Sequence, residues 1–235
     1  MDGVVLAAGE GTRMRPLTAE KPKALVEVAG QPLLEYSFDA LLSVGVTRLI
    51  VVIGYLGGRV RERYGDSYRD TPVRYVEQAE RLGTAHALQQ AMPAVDAPVA
   101  VMNSDNVCRA NLDAVVDRHR ETDAAATLLV ESVSREQART TGVVETDGEG
   151  RPVGFVEKPD EPPSTLVNRG FYAFGPAIGE ALARIEPSDR GEYELTDAVG
   201  WLLDSGYRVE LVELEGWCQN VNEPGDRERV SQRLE

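Results

Sequence analysis

Lysine, cysteine and long apolar runs are all scarce in this sequence. No apolar run approaches the roughly 18 to 20 residues that a membrane-spanning helix needs. The N-terminus offers only residues 4–8 as an apolar stretch, with Asp2 before it and no basic flank, which is not the pattern of a secretory signal. We therefore predict a protein that does not associate with membranes and works in the cytoplasm.

The only two cysteines, Cys108 and Cys218, lie far apart in the sequence. Small secreted proteins that are held together by disulfides carry several closely spaced cysteines instead. Unpaired cysteine commonly packs as a small apolar side chain. The spacing therefore predicts two free, partly buried thiols in a reducing compartment.

Positive charge is carried almost entirely by arginine. Only three of the 25 basic residues are lysine, at positions 21, 23 and 158. Acidic residues number 39, which gives a formal net charge of −14 and excludes nucleic acid and anionic membranes as partners. Because an ammonium is compact and a guanidinium is planar, the three lysines are candidates for chemistry that arginine performs poorly.

Short apolar runs alternate with amphipathic stretches through the first half of the chain. Leu33, Leu34, Phe38 and Leu41 recur at helical spacing, and Gly45 ends that pattern. The alternation predicts an α/β fold with a parallel, doubly wound sheet, in which ligands bind beyond the carboxyl ends of the strands. Strands are predicted at residues 3–7, 48–54, 73–78 and 97–105, and helices at 32–45, 57–65, 84–92 and 112–123.

The second half of the chain has a different pattern, with strands that follow one another through turns. The sequence "DGEG" at 147–150 is typical of a hairpin. We expect mixed or antiparallel strands here, added to the parallel sheet of a single domain, because the composition shows no break. Strands are predicted at 124–133, 142–159 (a hairpin), 167–175 and 207–214, and helices at 193–206 and 223–235.

Flexible backbone follows the first predicted strand, in the stretch "LAAGEGTRMRPLTAEKPKAL" (6–25). Gly9 and Gly11 allow a sharp turn that brings N–H groups close to an anion. A dinucleotide-binding fingerprint would need glycine or alanine where Met14 stands, and a P-loop would need Gly-Lys-Ser or Gly-Lys-Thr. Both are excluded, which leaves a phosphate site or a glycine turn with surface arginines.

Four cations crowd into the same stretch: Arg13, Arg15, Lys21 and Lys23. Their mutual repulsion is costly unless an anion relieves it. A triphosphate would do so, which favours the phosphate site over the surface turn.

The stretch resembles the signature of the sugar nucleotidyltransferases, also called nucleoside-diphosphate-sugar pyrophosphorylases. The resemblance covers nearly the whole chain and is closest to the N-acetylglucosamine-1-phosphate uridylyltransferases and glucose-1-phosphate nucleotidyltransferases. It implies a Rossmann-like three-layer α/β/α fold, with residues 1–110 binding the nucleotide and 111–235 the sugar phosphate. Further motifs in the expected order are "VEQAERLGTAHAL" (76–88), "MNSDN" (102–106), "GVVE" (142–145), "VEKP" (156–159), "VNRG" (167–170), "EYELTDAV" (192–199) and "NVNEPGD" (220–226).

The resemblance implies that a sugar 1-phosphate attacks the α-phosphorus of a nucleoside triphosphate and pyrophosphate leaves. Such a reaction needs positioning and charge neutralisation rather than a covalent intermediate. By resemblance, Arg13 holds the β- and γ-phosphates and Lys23 neutralises the α-phosphate, whereas Lys21 is expected to be solvated. The loop residues expected at the nucleotide are Leu6, Ala8, Gly9, Gly11 and Thr12.

Mg²⁺ is the expected cofactor, since it prefers hard oxygens and uses few protein ligands together with substrate phosphates. The resemblance makes Asp105, in Ser104-Asp105-Asn106, the first ligand and a catalytic residue. Ser104 occupies the position at which the family's motif has glycine. Asn222 is the preferred second ligand, with Asn220 as the alternative. A cap on the following segment is the other interpretation of Asp105.

Base and sugar selection are also implied by the resemblance. Gln78 and Gly83 match residues that contact the base, with Thr84 beside it, which favours a pyrimidine such as that of UTP or dTTP. The predicted sugar-phosphate residues are Gly142, Glu157, Lys158 and Asn168. His86 and His119 have no metal-ligand companion and are predicted to be structural.

Three other functions stay open at this point. One is a cytidylyl- or guanylyltransferase that acts on another phosphorylated alcohol or sugar. Another is a noncatalytic regulatory domain that binds nucleotides. A glycosyltransferase is the third, although it would normally require an acidic pair such as DxD, where this chain has Asp105 followed by asparagine. A homo-oligomer also stays open.

Overall fold

A ten-stranded mixed sheet lies at the centre of the structure, a computed structural model that describes residues 1–96 and 98–234. The strands are β1 (Asp2–Ala7), β2 (Glu27–Val28), β3 (Gln31–Pro32), β4 (Arg48–Ile53), β5 (Ser67–Tyr68), β6 (Thr71–Glu77), β7 (Val99–Asn103), β8 (Asn106–Ala110), β9 (Ala126–Ser132), β10 (Gly142–Thr146), β11 (Pro152–Glu157), β12 (Leu166–Phe174), β13 (Val209–Glu213) and β14 (Gly216–Asn220).

The helices lie between these strands. They are α1 (Leu33–Ser43), α2 (Gly57–Tyr64), α3 (Thr84–Ala91), α4 (Leu112–Thr122), α5 (Arg135–Ala138), α6 (Ile178–Arg184), α7 (Leu195–Asp204) and α8 (Pro224–Leu234). All the predicted elements are present with boundaries shifted by a few residues. Ala97 and Glu235, which fall within the predicted strand 97–105 and the predicted helix 223–235, lie outside the described residues.

The sheet is parallel in its first half and mixed in its second. Its order runs β11-β10-β12-β7-β1-β4-β6-β5, with β9 joining β12 and β13 joining β9. The strands β7, β1, β4 and β6 run parallel, whereas β12 is antiparallel to both β7 and β9. Strands β10 and β11 form the predicted hairpin. The predicted α/β fold with added antiparallel strands is therefore confirmed.

Helices cover both faces of the sheet, which gives the predicted three layers. On one face, α1 buries Leu34, Phe38 and Leu41 beside Val115 of α4. On the other face, α3, α6 and α7 cover the apolar side chains of β1, β4 and β9. Because the parallel strands are buried from both sides, they are almost continuously apolar, as the sequence pattern indicated.

A separate two-stranded ladder was not predicted. Strands β8 and β14 pair antiparallel, so that Asn106 lies opposite Asn220. Asp105 therefore stands in a turn between β7 and β8 rather than at the end of a buried strand. The alternative role of Asp105 as a helix cap is wrong, because a strand follows it.

The two cysteines lie directly opposite each other in this ladder and are joined as a disulfide. The prediction of two free thiols is wrong. Its error was to treat distance along the sequence as distance in space, since the pairing of β8 with β14 brings together residues 110 positions apart. Their spacing therefore gives no support for a reducing compartment.

No helix within residues 1–96 and 98–234 combines the length and the apolar character that would be required to cross a bilayer.

Candidate active site

A cavity of about 690 Å³ opens at the carboxyl ends of β1 and β7. Ligands are expected at this edge of an open α/β sheet. Every residue predicted to bind the nucleotide, both predicted catalytic cations, Asp105 and Asn222 line the cavity. The remaining lining residues, to which the sequence assigned no binding or catalytic role, are Glu10, Arg81, Ala87, Asn103, Ser104 and Glu192.

The glycine loop forms one wall of this cavity. Gly11 has φ +65°, and a Cβ there would lie 2.9 Å from Cβ of Lys23, so only glycine fits without strain. The hydroxyl of Thr18 donates to the Gly11 carbonyl at 2.7 Å and closes the loop. The chain then continues through a short 3₁₀ turn, Thr12–Met14, that places Arg13 on the cavity wall. The loop thus presents backbone and a cation to the same space.

Glu10 partly neutralises the loop, which the charge argument did not foresee. Its carboxylate forms ion pairs with Arg15, at 2.6 Å, and with Arg81. The hydrogen bond from Arg81 is the main reason that the pKa of Glu10 is lowered. Among the described residues Arg13 has no ion-pair partner, so its charge is available to a ligand.

Lys23 lies at the centre of a tight polar cluster. Its Nζ donates to Oδ2 of Asp105 at 2.8 Å and to Oδ1 of Asn222 at 2.7 Å. The Lys23 side chain is 11% exposed. Residues that are 82 and 199 positions from Lys23 in the sequence thus meet at one ammonium group.

The same cluster fits a divalent cation. Oδ1 of Asp105 is buried and has no hydrogen-bond partner among the described residues. An orphaned carboxylate oxygen beside an amide oxygen suits Mg²⁺, which typically takes one or two protein ligands and completes its shell with water and phosphate. The described residues contain no group of three or more His, Cys, Asp or Glu side chains suited to a metal ion. A cation held by Asp105 and Asn222 would complete its shell with water or substrate oxygens.

The geometry favours Asn222 over Asn220 as the second ligand. Asn222 lines the cavity, whereas Asn220 is paired within the ladder. Asn222 is held in place because its backbone N–H donates to Asp226 at 2.9 Å. The neighbouring Val221 N–H donates to the Asp105 carbonyl at 2.8 Å, which ties the two candidate ligands together.

Gln78 and Gly83 also line the cavity. The Gln78 side chain is buried, and its Nε2 donates to the Gly83 carbonyl at 3.0 Å. Because a carbonyl only accepts, this bond fixes which way the Gln78 amide points. Nε2 also lies 2.9 Å from Nδ1 of His86. His86, which was predicted to be structural, thus contacts Gln78 and can help to orient its amide.

The four predicted sugar-phosphate residues lie close together, although none of them lines the cavity. A Cβ on Gly142 would lie 2.9 Å from both Nδ2 of Asn168 and Oε2 of Glu157. Lys158 Nζ pairs with Glu157 Oε1 at 2.8 Å. The structure thus brings together residues from β10, β11 and β12 that the sequence placed in separate motifs.

Glu194 is a neighbouring group to which the sequence assigned no role. It is 3% exposed, and burial, followed by the charge of Glu157, raises its pKa to about 7. Arg190 lies 3.4 Å from its Oε1. Thr196 donates to Glu157 at 3.3 Å. The motif "EYELTDAV" could have signalled these residues, but its carboxylates look like an exposed helix start.

We expect Glu194→Gln to stabilise the protein more at pH 8 than at pH 5. The raised pKa means that the folded protein binds more protons than the unfolded chain between about pH 4.5 and 7. Stability therefore falls as pH rises through that window, by at most about 3 kcal/mol. Thermal unfolding at both pH values measures the difference. Exposed Glu228→Gln controls for the loss of one negative charge, and an equal gain at both pH values would contradict the prediction.

The cavity combines a glycine loop, the cations Arg13 and Lys23 and a buried carboxylate oxygen that lacks a partner among the described residues, an arrangement that suits a nucleoside triphosphate. The family comparison agrees, because residues 2–219 match the Nucleotidyl transferase family. The chain belongs to this family, which confirms the predicted membership and nucleotidyl transfer as the class of reaction.

The chain resembles known relatives and solved structures over nearly its whole length. A UTP–glucose-1-phosphate uridylyltransferase of Haloferax volcanii is 44% identical over 100% of this chain and 97% of its own length. A glucose-1-phosphate thymidylyltransferase of Streptomyces antibioticus is 37% identical over 100% of this chain but only 66% of its own length. A UDP-glucose pyrophosphorylase solved with UDP-glucose has a TM-score of 0.90, with 22% identity and coverage of 99% of this chain and 97% of the other. At that identity the structure supports the fold alone.

Proposed function

We propose that this protein transfers the uridylyl group of UTP to glucose 1-phosphate and releases pyrophosphate. The observation that carries the proposal is the meeting of Lys23, Asp105 and Asn222 beside the glycine loop in one cavity. The 44% identity to the uridylyltransferase of Haloferax volcanii supports the choice of substrates. The cytoplasm, where nucleoside triphosphates are made, is the proposed location.

The residues of the cavity suit an in-line displacement. The glycine loop would hold the triphosphate through backbone N–H groups, with Arg13 on the β- and γ-phosphates. Lys23 would neutralise the charge that grows on the α-phosphate oxygens as the sugar phosphate attacks and pyrophosphate departs. Asp105 and Asn222 would hold Mg²⁺, which supplies charge neutralisation to the phosphates when bound.

Gln78 supports a uracil or thymine base. Its Nε2 is occupied by Gly83 and His86, which leaves Oε1 to accept from the base. Uracil and thymine carry an N–H at position 3, whereas cytosine carries an acceptor there. The same contact does not separate UTP from dTTP, and dTTP is the second candidate because the Streptomyces relative is a thymidylyltransferase.

A substrate panel tests the proposal. Purified protein is incubated with UTP, dTTP, CTP or GTP and with glucose 1-phosphate or N-acetylglucosamine 1-phosphate, at low and high salt, and products are separated by chromatography. We expect UDP-glucose and pyrophosphate in equal amounts. A preference for dTTP would show that the proposed nucleotide substrate is wrong. A preference for N-acetylglucosamine 1-phosphate would show that the proposed sugar phosphate is wrong. Binding of nucleotide without turnover in any combination would make the protein a noncatalytic nucleotide-binding domain.

Asp105→Asn is expected to raise the Mg²⁺ concentration for half-maximal rate by at least about tenfold. The change removes the only negative charge among the two candidate ligands and keeps the side-chain volume. Initial rates against free Mg²⁺ measure the effect. Asp204→Asn removes the same charge from an exposed residue that does not line the cavity, and it is the control. If Asp105→Asn left the dependence of the rate on Mg²⁺ unchanged, Asp105 would not be the Mg²⁺ ligand.

A further inference from the structure

The contacts of Lys23 overlap with the candidate cation site. Its ammonium donates to Oδ2 of Asp105 and to Oδ1 of Asn222, the two groups that would hold a divalent cation. The side chain is largely enclosed, so the ammonium is poorly hydrated and depends on these oxygens. An ammonium and a divalent cation on the same carboxylate repel each other at such separations, so each weakens the binding of the other.

We propose that Lys23 and the divalent cation compete for Asp105 and Asn222, so that the cation gains the site only when a nucleotide draws the ammonium away. This inference rests on the proposed function. Before nucleotide binds, the charges of Lys23 and Asp105 sum to zero, and a cation finds little net attraction there. The α-phosphate then offers the ammonium an alternative anion, and the released carboxylate and amide oxygens become ligands.

The unpaired Oδ1 of Asp105 favours the replacement of Lys23 by the cation. This oxygen is buried and lacks a hydrogen-bond partner within residues 1–96 and 98–234, although Oδ2 of the same carboxylate is bonded to Lys23. A buried unpaired oxygen is costly, and a cation that coordinates it removes that cost. Nucleotide binding would therefore favour the exchange, because Lys23 would gain the α-phosphate as a partner and both oxygens of Asp105 would become free to hold the cation.

The proposal has a consequence that is opposite to the usual effect of deleting a catalytic residue. Lys23→Met should strengthen the binding of a divalent cation to the protein alone. The gain should be about 10- to 100-fold in Kd, the range expected when the charge-assisted hydrogen bonds of a competitor are removed. Methionine keeps the apolar length of the lysine side chain.

Titration of Mn²⁺ alone, without nucleotide or sugar phosphate, tests this by calorimetry and by water proton relaxation. The matched control is Lys21→Met, which removes the same charge from an exposed position two residues away. We expect tighter Mn²⁺ binding for Lys23→Met, no change for Lys21→Met, and loss of the gain in the double variant Lys23→Met with Asp105→Asn. Unchanged or weaker binding by Lys23→Met would overturn the proposal, as would an equal gain in both single variants.

Circular dichroism and thermal unfolding establish that the variants are folded. If Lys23→Met is not folded, Lys23→Gln takes its place, because it removes the charge and retains a donor for Asp105. The measurement does not involve turnover. A gain in Mn²⁺ affinity with no activity in the substrate panel would reject the proposed reaction and leave the competition standing, whereas activity without the gain would do the reverse.

Discussion

Replacing Lys23 with alanine or methionine is expected to lower kcat by about 10²- to 10³-fold at saturating Mg²⁺. The ammonium is the only side-chain cation that contacts both candidate cation ligands in the described part of the chain. In the proposed reaction it also neutralises the charge that develops on the α-phosphate. Removing one preorganised donor from developing charge costs this much in other enzymes. Pyrophosphate release under saturating substrates measures the loss.

Two comparisons make this result specific. Lys21→Met should keep the rate within about twofold, because Lys21 is exposed and lies outside the cavity. A binding measurement with UTP and Mg²⁺ should show that Lys23→Met still takes up nucleotide, since Arg13 and the glycine loop remain. Catalysis at the original rate by either Lys23 variant would show that Lys23 has no role in the reaction.

Gly83→Ala is expected to destabilise the fold by about 2 to 3 kcal/mol and to raise KM for the nucleotide at least about tenfold. Gly83 has φ +102° and ψ 178°, a region that is essentially restricted to glycine. A Cβ there would lie 2.4 Å from the Tyr193 carbonyl, which is backbone and has little room to move. To relieve this clash the backbone at residue 83 would have to shift, and the shift would turn the Gly83 carbonyl away from Gln78. Thermal unfolding and initial rates measure the two effects.

Gly58→Ala is the matched control for Gly83→Ala. Gly58 is exposed in α2, and a Cβ there would meet no atom within 4 Å. Alanine is favoured over glycine by roughly 1 kcal/mol inside a helix, so this variant should be as stable as the parent protein or more so. If both glycine variants lost stability equally, the strained geometry at Gly83 would not be the cause.

The parts of the fold that depend on local pattern were predictable from the sequence. Apolar runs predicted β1, β4 and β7, and the helical spacing of Leu34, Phe38 and Leu41 predicted α1. The glycine loop was recognisable because Gly9, Gly11 and the cations are adjacent. In each case the residues that make the feature are near neighbours in the chain.

Features that depend on distant pairing were not predictable from local pattern. The segments that form β8 and β14 are short and mixed in polarity, and their pairing became visible only in three dimensions. The disulfide and the direct contact of Lys23 with Asp105 and Asn222 follow from that pairing. The short elements β2, β3, β5, α5 and α6 were also missed, because two to seven residues give too little periodicity to detect.

The ladder of β8 and β14 has a mechanical consequence for catalysis. Asp105 leads directly into one strand, and Asn222 follows the other by two residues. The ladder is not part of the ten-stranded sheet, and the disulfide clamps its two strands together. If the ladder tilted, Asp105 and Asn222 would therefore move together as one rigid unit. The distance between their oxygens would stay the same, while their distance from the glycine loop would change.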